Sequence, residues 1–419
     1  MKNKYVAGVI TGTMCAVLVC SVIFTLLYRN IRMEQLGLNS GYNTGINSKE
    51  KGSEKDSAND DETLLQKMTA MKGIVDKYFL YDVTNEQYED AILKGLMKAL
   101  EDPYSCYYTA EEYKELMEST EGIYYGIGAY VSQARDTKVL TITKPFKGGP
   151  ADQAGVLPGD IIYKVEGEVV TDLDISTVVA KMKGEKGTKV QLTLLRGESM
   201  EEVQLTVIRD EIEVPTIEYK MLDDKIGYIY ILQFDRVTVE QFTKAIDELE
   251  EQSMKGLVID VRDNGGGLYV ACVSMLERLI DKDKLLVYTE TKAGKRESDY
   301  TKKSDAIKVP LAVIINGNSA SASEIFAGAI QDHKVGTVVG TQSFGKGIVQ
   351  SVMPLSDGSA IKLTVSNYFT PSGDSIHEVG IAPDVVVEFD EALKGKSIIT
   401  MEEDNQLQAA INEVKKQIQ

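Results

Sequence analysis

Two short stretches hold the residues with the most chemical potential. Asn316-Gly-Asn-Ser-Ala-Ser-Ala-Ser-Glu324 supplies serines at a turn, and Ser343-Phe-Gly-Lys-Gly-Ile-Val-Gln350 supplies a lysine with an amide four residues beyond it. The chain has only two histidines, His333 and His377, so a Ser/His/Asp hydrolase has little to build on. A serine activated by an uncharged lysine needs no histidine, no metal and no cofactor.

Ser321 has two readings that compete for one hydroxyl. Ser321-Ala-Ser-Glu324 fits Ser-x-x-Glu, a capping box in which the serine satisfies a helix-terminal N–H. A serine at a helix start is equally suited to nucleophilic attack, because the next amide, that of Ala322, has no acceptor within the helix and points where an oxyanion would form. Asn318 or Ser319 would then take over capping. Lys346 also has a rival role, since Gly340-Thr-Gln-Ser-Phe-Gly-Lys-Gly347 reproduces most of a phosphate-binding loop. Gly347 stands where that loop needs Ser or Thr for magnesium, and the preceding apolar strand, Val335 to Val339, is short. A nucleotide-binding regulator therefore remains only as a minor alternative.

As a general base, Lys346 must be neutral near pH 7. An unperturbed lysine titrates at about 10.4, so neutrality asks for about 4 kcal/mol of differential interaction. Apolar Phe344, Ile348 and Val349 are the expected cover. Positions 346, 348 and 350 share one side of a strand, which brings Gln350 within reach of the lysine amine. The Gly265-Gly266-Gly267 turn lets a backbone N–H approach a substrate closely and act as a second oxyanion donor.

Those residues need a scaffold, and at 419 residues the chain has material for two or three domains. Its net charge of -18 and pI near 4.8 argue against nucleic acid, which selects for basic surfaces. Tyr5 to Tyr28 is a nearly uncharged apolar run between Lys2 and Lys4 on one side and Arg29 and Arg32 on the other. Its length suits a helix across a bilayer core of about 30 Å. No small-x-small cleavage site follows, which favours an uncleaved signal anchor over residues 1–32, amino terminus inside and the bulk at the outer face of the cell membrane. Residues 33–61 are rich in Gly, Ser, Asn, Lys and Glu and read as a flexible tether. Cys106 and Cys272 can pair only if the fold brings them together.

Residues 62–118 contain two stretches of helical periodicity, Leu64 to Val75 and Ile92 to Leu100, expected to pack on each other. Residues 119–209 alternate as short strands, with Ile175 to Met182 as a helix. The loop Tyr125, Gly126, Ile127, Gly128, followed by Pro150-Ala, Ala154-Gly-Val and Gly159-Asp-Ile-Ile, resembles a PDZ domain. In that fold the glycine loop captures a terminal carboxylate and the peptide adds as a strand to the sheet edge. Residues 210–390 alternate strands and helices as a layered α/β domain, with sites expected at strand carboxyl ends. Residues 391–419 end in an amphipathic helix, Asp404 to Lys416, which packs on its own domain or on a partner.

Together the landmarks resemble the C-terminal processing peptidases, or tail-specific proteases. They are Asp102-Pro-Tyr-Ser, Tyr125-Gly-Ile-Gly, the PDZ pattern, Ile226-Gly-Tyr-Ile, Asp260-Val-Arg-Asp-Asn-Gly-Gly-Gly, Ser319-Ala-Ser-Ala-Ser-Glu, Phe344-Gly-Lys-Gly and Tyr368-Phe-Thr-Pro-Ser-Gly-Asp-Ser-Ile376, in that order. The resemblance implies a ClpP/crotonase-like peptidase layer, Ser321 as nucleophile, Lys346 as base and Gln350 as its partner. It also implies a PDZ module that binds substrate tails or gates the site, and a homodimer. Asp263 where Asn is common, and Asp374-Ser375 where a basic residue often comes first, are the departures. The expectation is a membrane-anchored Ser–Lys endopeptidase acting on extracytoplasmic protein tails; the alternative is an inactive PDZ scaffold.

Overall fold

The computed structural model describes residues 54–396 and 399–418. The expected membrane span, Tyr5 to Tyr28, and most of the tether lie outside these residues. Among the described residues no helix is long and apolar enough to cross a membrane.

The chain begins with α1 (Glu54–Tyr78) and α2 (Asn85–Lys98), then β1 (Cys106–Tyr108) and α3 (Ala110–Glu121). Thr84 and Thr109 each accept the third amide of the following helix, while Gln87 and Glu112 reach back to the cap amides. The expected packing of the first two helices into a shared core is not what forms. Leu64, Leu65, Met71, Ile74, Leu96 and Leu100 are exposed, so their periodic faces look outward.

A second unit follows: β2 (Ile123–Gly126), β3 (Ala129–Gln133), β4 (Leu140–Pro145), the single turn α4 (Pro150–Gln153), β5 (Ile161–Val165), β6 (Glu168–Val169), α5 (Ile175–Met182), β7 (Lys189–Arg196), β8 (Glu201–Ile208) and β9 (Asp210–Glu213). Its sheet runs β3-β4-β5-β7-β8, with β6 on β5. Alternating residues such as Ile142, Ile162, Leu192 and Leu194 fill a closed core with Val178 and Met182 of α5. β2 does not join this sheet but pairs antiparallel with β9, from Ile123↔Glu213 to Gly126↔Asp210. Through that ribbon the chain enters and leaves the module.

The α/β unit contains β10 (Ile217–Met221), β11 (Ile226–Ile231), α6 (Arg236–Glu251), β12 (Gly256–Asp260), α7 (Tyr269–Leu276), β13 (Leu285–Thr291), β14 (Arg296–Tyr300), β15 (Leu311–Ile315), α8 (Ala322–Asp332), β16 (Thr337–Gly340), β17 (Ile348–Pro354), β18 (Ala360–Phe369), β19 (Val385–Val386) and α9 (Asn405–Ile418). The main sheet is ordered β10-β11-β12-β15-β16-β19, parallel from β11 onward. β12 and β15 are buried at every position, as expected of strands covered on both faces. Phe242, Leu249, Phe326 and Ile330 of α6 and α8 cover one face. Leu407, Ala410, Ile411 and Val414 of α9 cover the other, so the C-terminal helix packs on its own domain.

A second sheet, β1-β18-β13-β14 with β17 on β18, brackets the far side. Strand β1 comes from before the PDZ-like unit and pairs Cys106↔Lys362 with β18. This short strand is thereby an integral part of the α/β unit. Cys106 and Cys272 are both free.

Candidate active site

The buried strand β15 delivers the chain to a turn that ends at Ser321, the residue before α8. Ser321 has φ 57° and ψ -115°, a sparsely populated combination for a residue with a Cβ. Such conformations cost on the order of 1–3 kcal/mol and persist only where the surroundings impose them. A capping-box arrangement is present, with Glu324 reaching back to the Ser321 N–H, and the Glu324 N–H also lies 2.8 Å from the Ser321 carbonyl oxygen. Neither expected substitute caps: Ser319 donates to Val261 O at 2.8 Å, and Asn318 Nδ2 donates to Asp263 at 2.7 Å.

Glu324 is what imposes the geometry. It is 1% exposed, and its carboxylate accepts four hydrogen bonds from two separate chain segments. Oε2 receives the N–H of Ser321 and that of Lys346, each at 2.8 Å. Oε1 receives the Gly345 N–H at 2.7 Å and the Ser343 hydroxyl at 2.6 Å. One oxygen therefore binds the backbones of both candidate catalytic residues. Burial pushes the carboxyl above its ordinary value, against the downward pull of these donors. Phe344 N–H to Ser319 O at 3.0 Å, and the Tyr368 hydroxyl donating to the Lys346 carbonyl, complete the seam. The Ser321 hydroxyl faces that same phenol.

The glycine turn closes over Ser321 from the end of β12. A Cβ on Gly266 would lie 2.7 Å from Ala320 O, 2.8 Å from Ser321 Cβ and 2.9 Å from Ala322 N, at a φ of +105°. Only glycine fits there, and the space left open adjoins the Ala322 amide. Gly266 itself is not a donor, contrary to the expectation for the whole turn, because its N–H is held by Asn264 Oδ1 at 2.8 Å. The N–H groups of Gly265 and Gly267 remain the candidates alongside Ala322. Asn264 is fully buried and binds both sides: its Nδ2 reaches Ile231 O at 2.8 Å, while its carbonyl accepts Ala320 N–H at 3.0 Å and the Ser323 hydroxyl at 2.8 Å.

Lys346 is 9% exposed and precedes β17, whose register shifts between Val349 and Gln350. Its cover is only in part the one expected: Ile348 is buried and Val349 half-buried. Phe344 is 51% exposed, and the aromatic surface over the ammonium is Tyr104, with its ring centroid 4.5 Å from Nζ. Tyr104 belongs to the Asp102–Ser105 turn just before β1. Gln350 is buried opposite Thr364 of β18, its Nε2 3.5 Å from Thr364 Oγ1 and from Ile348 O. Thr364 in turn donates to Asp102 Oδ2 at 2.6 Å. His333 sits at the far end of α8 with Nε2 2.6 Å from Leu285 O, and His377 is half-buried on the turn after Ile376.

In the PDZ-like unit, Tyr125 is exposed with its hydroxyl 3.3 Å from Glu211, while Ile127 is buried in the module's core. The carbonyls of Tyr125, Ile127 and Gly128 are tied down by Gly184, Ala151 and Phe146 amides at 3.2, 2.8 and 2.9 Å. Gly126 packs under the Tyr124 ring. The Gly128 and Ala129 amides face the Tyr124 phenol, which burial pushes up to about 12. β3 is the sheet edge, and Gln133 at its far end bridges to Leu173 O and Ile175 N–H at the start of α5.

Asn264 and Tyr104 carry no local signal for these roles, and Glu324 shows in sequence only its capping-box spacing. Each lies inside one of the landmark stretches, and the missing signal is the pairing between stretches. Residues 225–387 match the Peptidase family S41 profile and residues 141–196 the PDZ domain profile. The carboxy-terminal processing protease CtpA of Bacillus subtilis is 35% identical over 338 residues, 81% of this chain and 72% of that protein. The carboxy-terminal-processing protease of Bartonella bacilliformis is 33% identical over 344 residues, 79% and 77% respectively. A putative S41 protease from Bacteroides fragilis shares the fold, with a TM-score of 0.50 and 15% identity over 80% of this chain and 92% of that one.

Proposed function

The chain belongs to peptidase family S41, among the carboxy-terminal processing serine proteases, and from that premise we propose a Ser–Lys mechanism. Ser321 Oγ attacks the scissile carbonyl carbon as its proton passes to neutral Lys346 Nζ. The oxyanion forms against the Ala322 N–H and an N–H of Gly265 or Gly267. The C–N bond then breaks, and the Lys346 ammonium gives its proton to the leaving amine. Water attacks the Ser321 ester, Lys346 takes its proton, and collapse releases the acid and restores the serine. The observation that carries this reading is the single Glu324 oxygen that binds both the Ser321 and the Lys346 backbone.

Substrates are protein tails, held by the PDZ domain with the carboxylate at Tyr125–Gly128 and the chain along the β3 edge. The apolar run Tyr5 to Tyr28 anchors the enzyme, with its catalytic part outside the cytoplasm. The exposed apolar faces of α1 and α2 suit a second copy of the chain. Fluorophosphonate labelling tests the chemistry. Wild type is expected to label and to cleave tailed substrates faster than tail-less ones, and Ser321→Ala to do neither while still binding tails. An unlabelled wild type that binds tails would establish the inactive scaffold instead.

A further inference from the structure

Resting on the Ser–Lys reading, the structure adds a residue pair that no part of that reading uses. The Asp102–Ser105 turn lies outside the peptidase profile match, yet it reaches the general base. The Tyr104 ring lies 4.5 Å from Lys346 Nζ. Asp102 Oδ1 accepts the Tyr104 N–H at 3.0 Å, and Oδ2 accepts the hydroxyls of Ser105 and Thr364, each at 2.6 Å. Ser105 Oγ accepts the Thr364 N–H at 3.0 Å, which fixes the turn on β18 directly across from Gln350. The carboxylate is in electrostatic reach of the lysine. Burial would raise its carboxyl, yet the Ser105 and Thr364 hydroxyls, the Tyr104 amide and the Lys346 charge together hold it below the usual range.

We propose that Tyr104 and Asp102 are positioning residues that favour the ammonium form of Lys346 and thereby set the pH above which the peptidase acts. An aromatic face and a carboxylate both stabilise a cation, opposing the burial that favours the neutral amine. Ionisable groups also adjoin Lys346 from other elements: Glu324 of α8, whose Oε2 accepts the Lys346 N–H, Tyr368 of β18, whose hydroxyl donates to its carbonyl, and the His377–Glu378 turn packed against Gly345 and Gly347. Glu324 and Tyr368 bind the lysine's backbone. The turn brings a ring and a carboxylate to its amine, and it arrives from a segment preceding the PDZ domain.

A lysine held as ammonium cannot accept the serine proton, so kcat/KM climbs with pH until the amine is neutral. Tyr104→Leu removes the ring and is expected to move the acid limb of kcat/KM to lower pH by about 0.5 to 1.5 pH units. Asp102→Asn is expected to move it the same way, and Tyr104→Phe, which keeps the ring, to leave it in place. The pH dependence of fluorophosphonate labelling at Ser321 gives the same limb without a protein substrate. An acid limb that stays put in both Tyr104→Leu and Asp102→Asn, with only the plateau lowered, would overturn the proposal and leave the turn a structural brace. If the leucine variant does not fold, Asp102→Asn and Tyr104→Phe decide. Retained turnover in Ser321→Ala would instead defeat the Ser–Lys reading itself, and this proposal with it.

Discussion

Replacing Glu324 by glutamine changes one oxygen into an NH2 group and leaves the shape intact. In one amide orientation the new nitrogen faces the Ser321 and Lys346 N–H groups, both donors now 2.8 Å from Oε2. In the other it faces the Gly345 N–H at 2.7 Å and the Ser343 hydroxyl, which can turn to accept. The better orientation still loses the Gly345 bond to a donor–donor contact and weakens the remaining bonds by removing the charge. A hydrogen bond to a charged group contributes about 1.5–3 kcal/mol, so losing the equivalent of two costs about 3–6 kcal/mol. At about 2–4 °C per kcal/mol for a domain of this size, Tm should fall by at least about 6 °C. Activity should fall further, because displacing either backbone by about 1 Å costs on the order of 100-fold in rate. Differential scanning fluorimetry and kcat/KM on a tailed peptide measure the two effects. A variant within about 2 °C and threefold of wild type would refute Glu324 as the common anchor.

Two further outcomes follow from the same geometry. Gly266→Ala places a methyl within 2.9 Å of Ser321 Cβ and the Ala322 amide at a φ that disfavours it, so fluorophosphonate labelling and turnover should both be lost while tail binding persists; normal labelling would contradict the oxyanion position. Tyr124→Phe removes the phenol oxygen facing the Gly128 and Ala129 amides. Freeing one such competitor, worth about 1 kcal/mol, should tighten tail-peptide binding about fivefold by fluorescence anisotropy, and an unchanged or weaker Kd would show that those amides do not take the carboxylate.

The legible part of the sequence was whatever is set within one short window. The helix Ile175 to Met182 is bounded as its periodicity predicts, and residues 210–390 do alternate strands with helices. Glycine spacing likewise marked the turn at 265–267, although only the fold shows that Gly266 N–H is already taken. Side-chain partners remote in sequence were illegible. Phe344 lies two residues from Lys346 and was the natural cover, yet it turns to solvent while Tyr104, from a different strand entry, takes its place. The same holds for Glu324, whose capping role is visible locally and whose hold on residues 343–346 is not. The helices α1 and α2 fail in the opposite direction: their periodicity is real, but the surface they were expected to share is exposed.

The bond from Thr364 to Asp102 spans 262 positions of the chain. Residue 102 leaves the ribosome long before residue 364, and between them the whole PDZ domain can fold on its own core. Until β18 emerges and recruits β1, nothing holds Tyr104 against the lysine or Gln350 against its threonine. Completing the second sheet is thus the step that brings the Tyr104 ring to Lys346 and Gln350 to Thr364. Closing so large a loop late also makes this docking the slow step expected of non-local contacts.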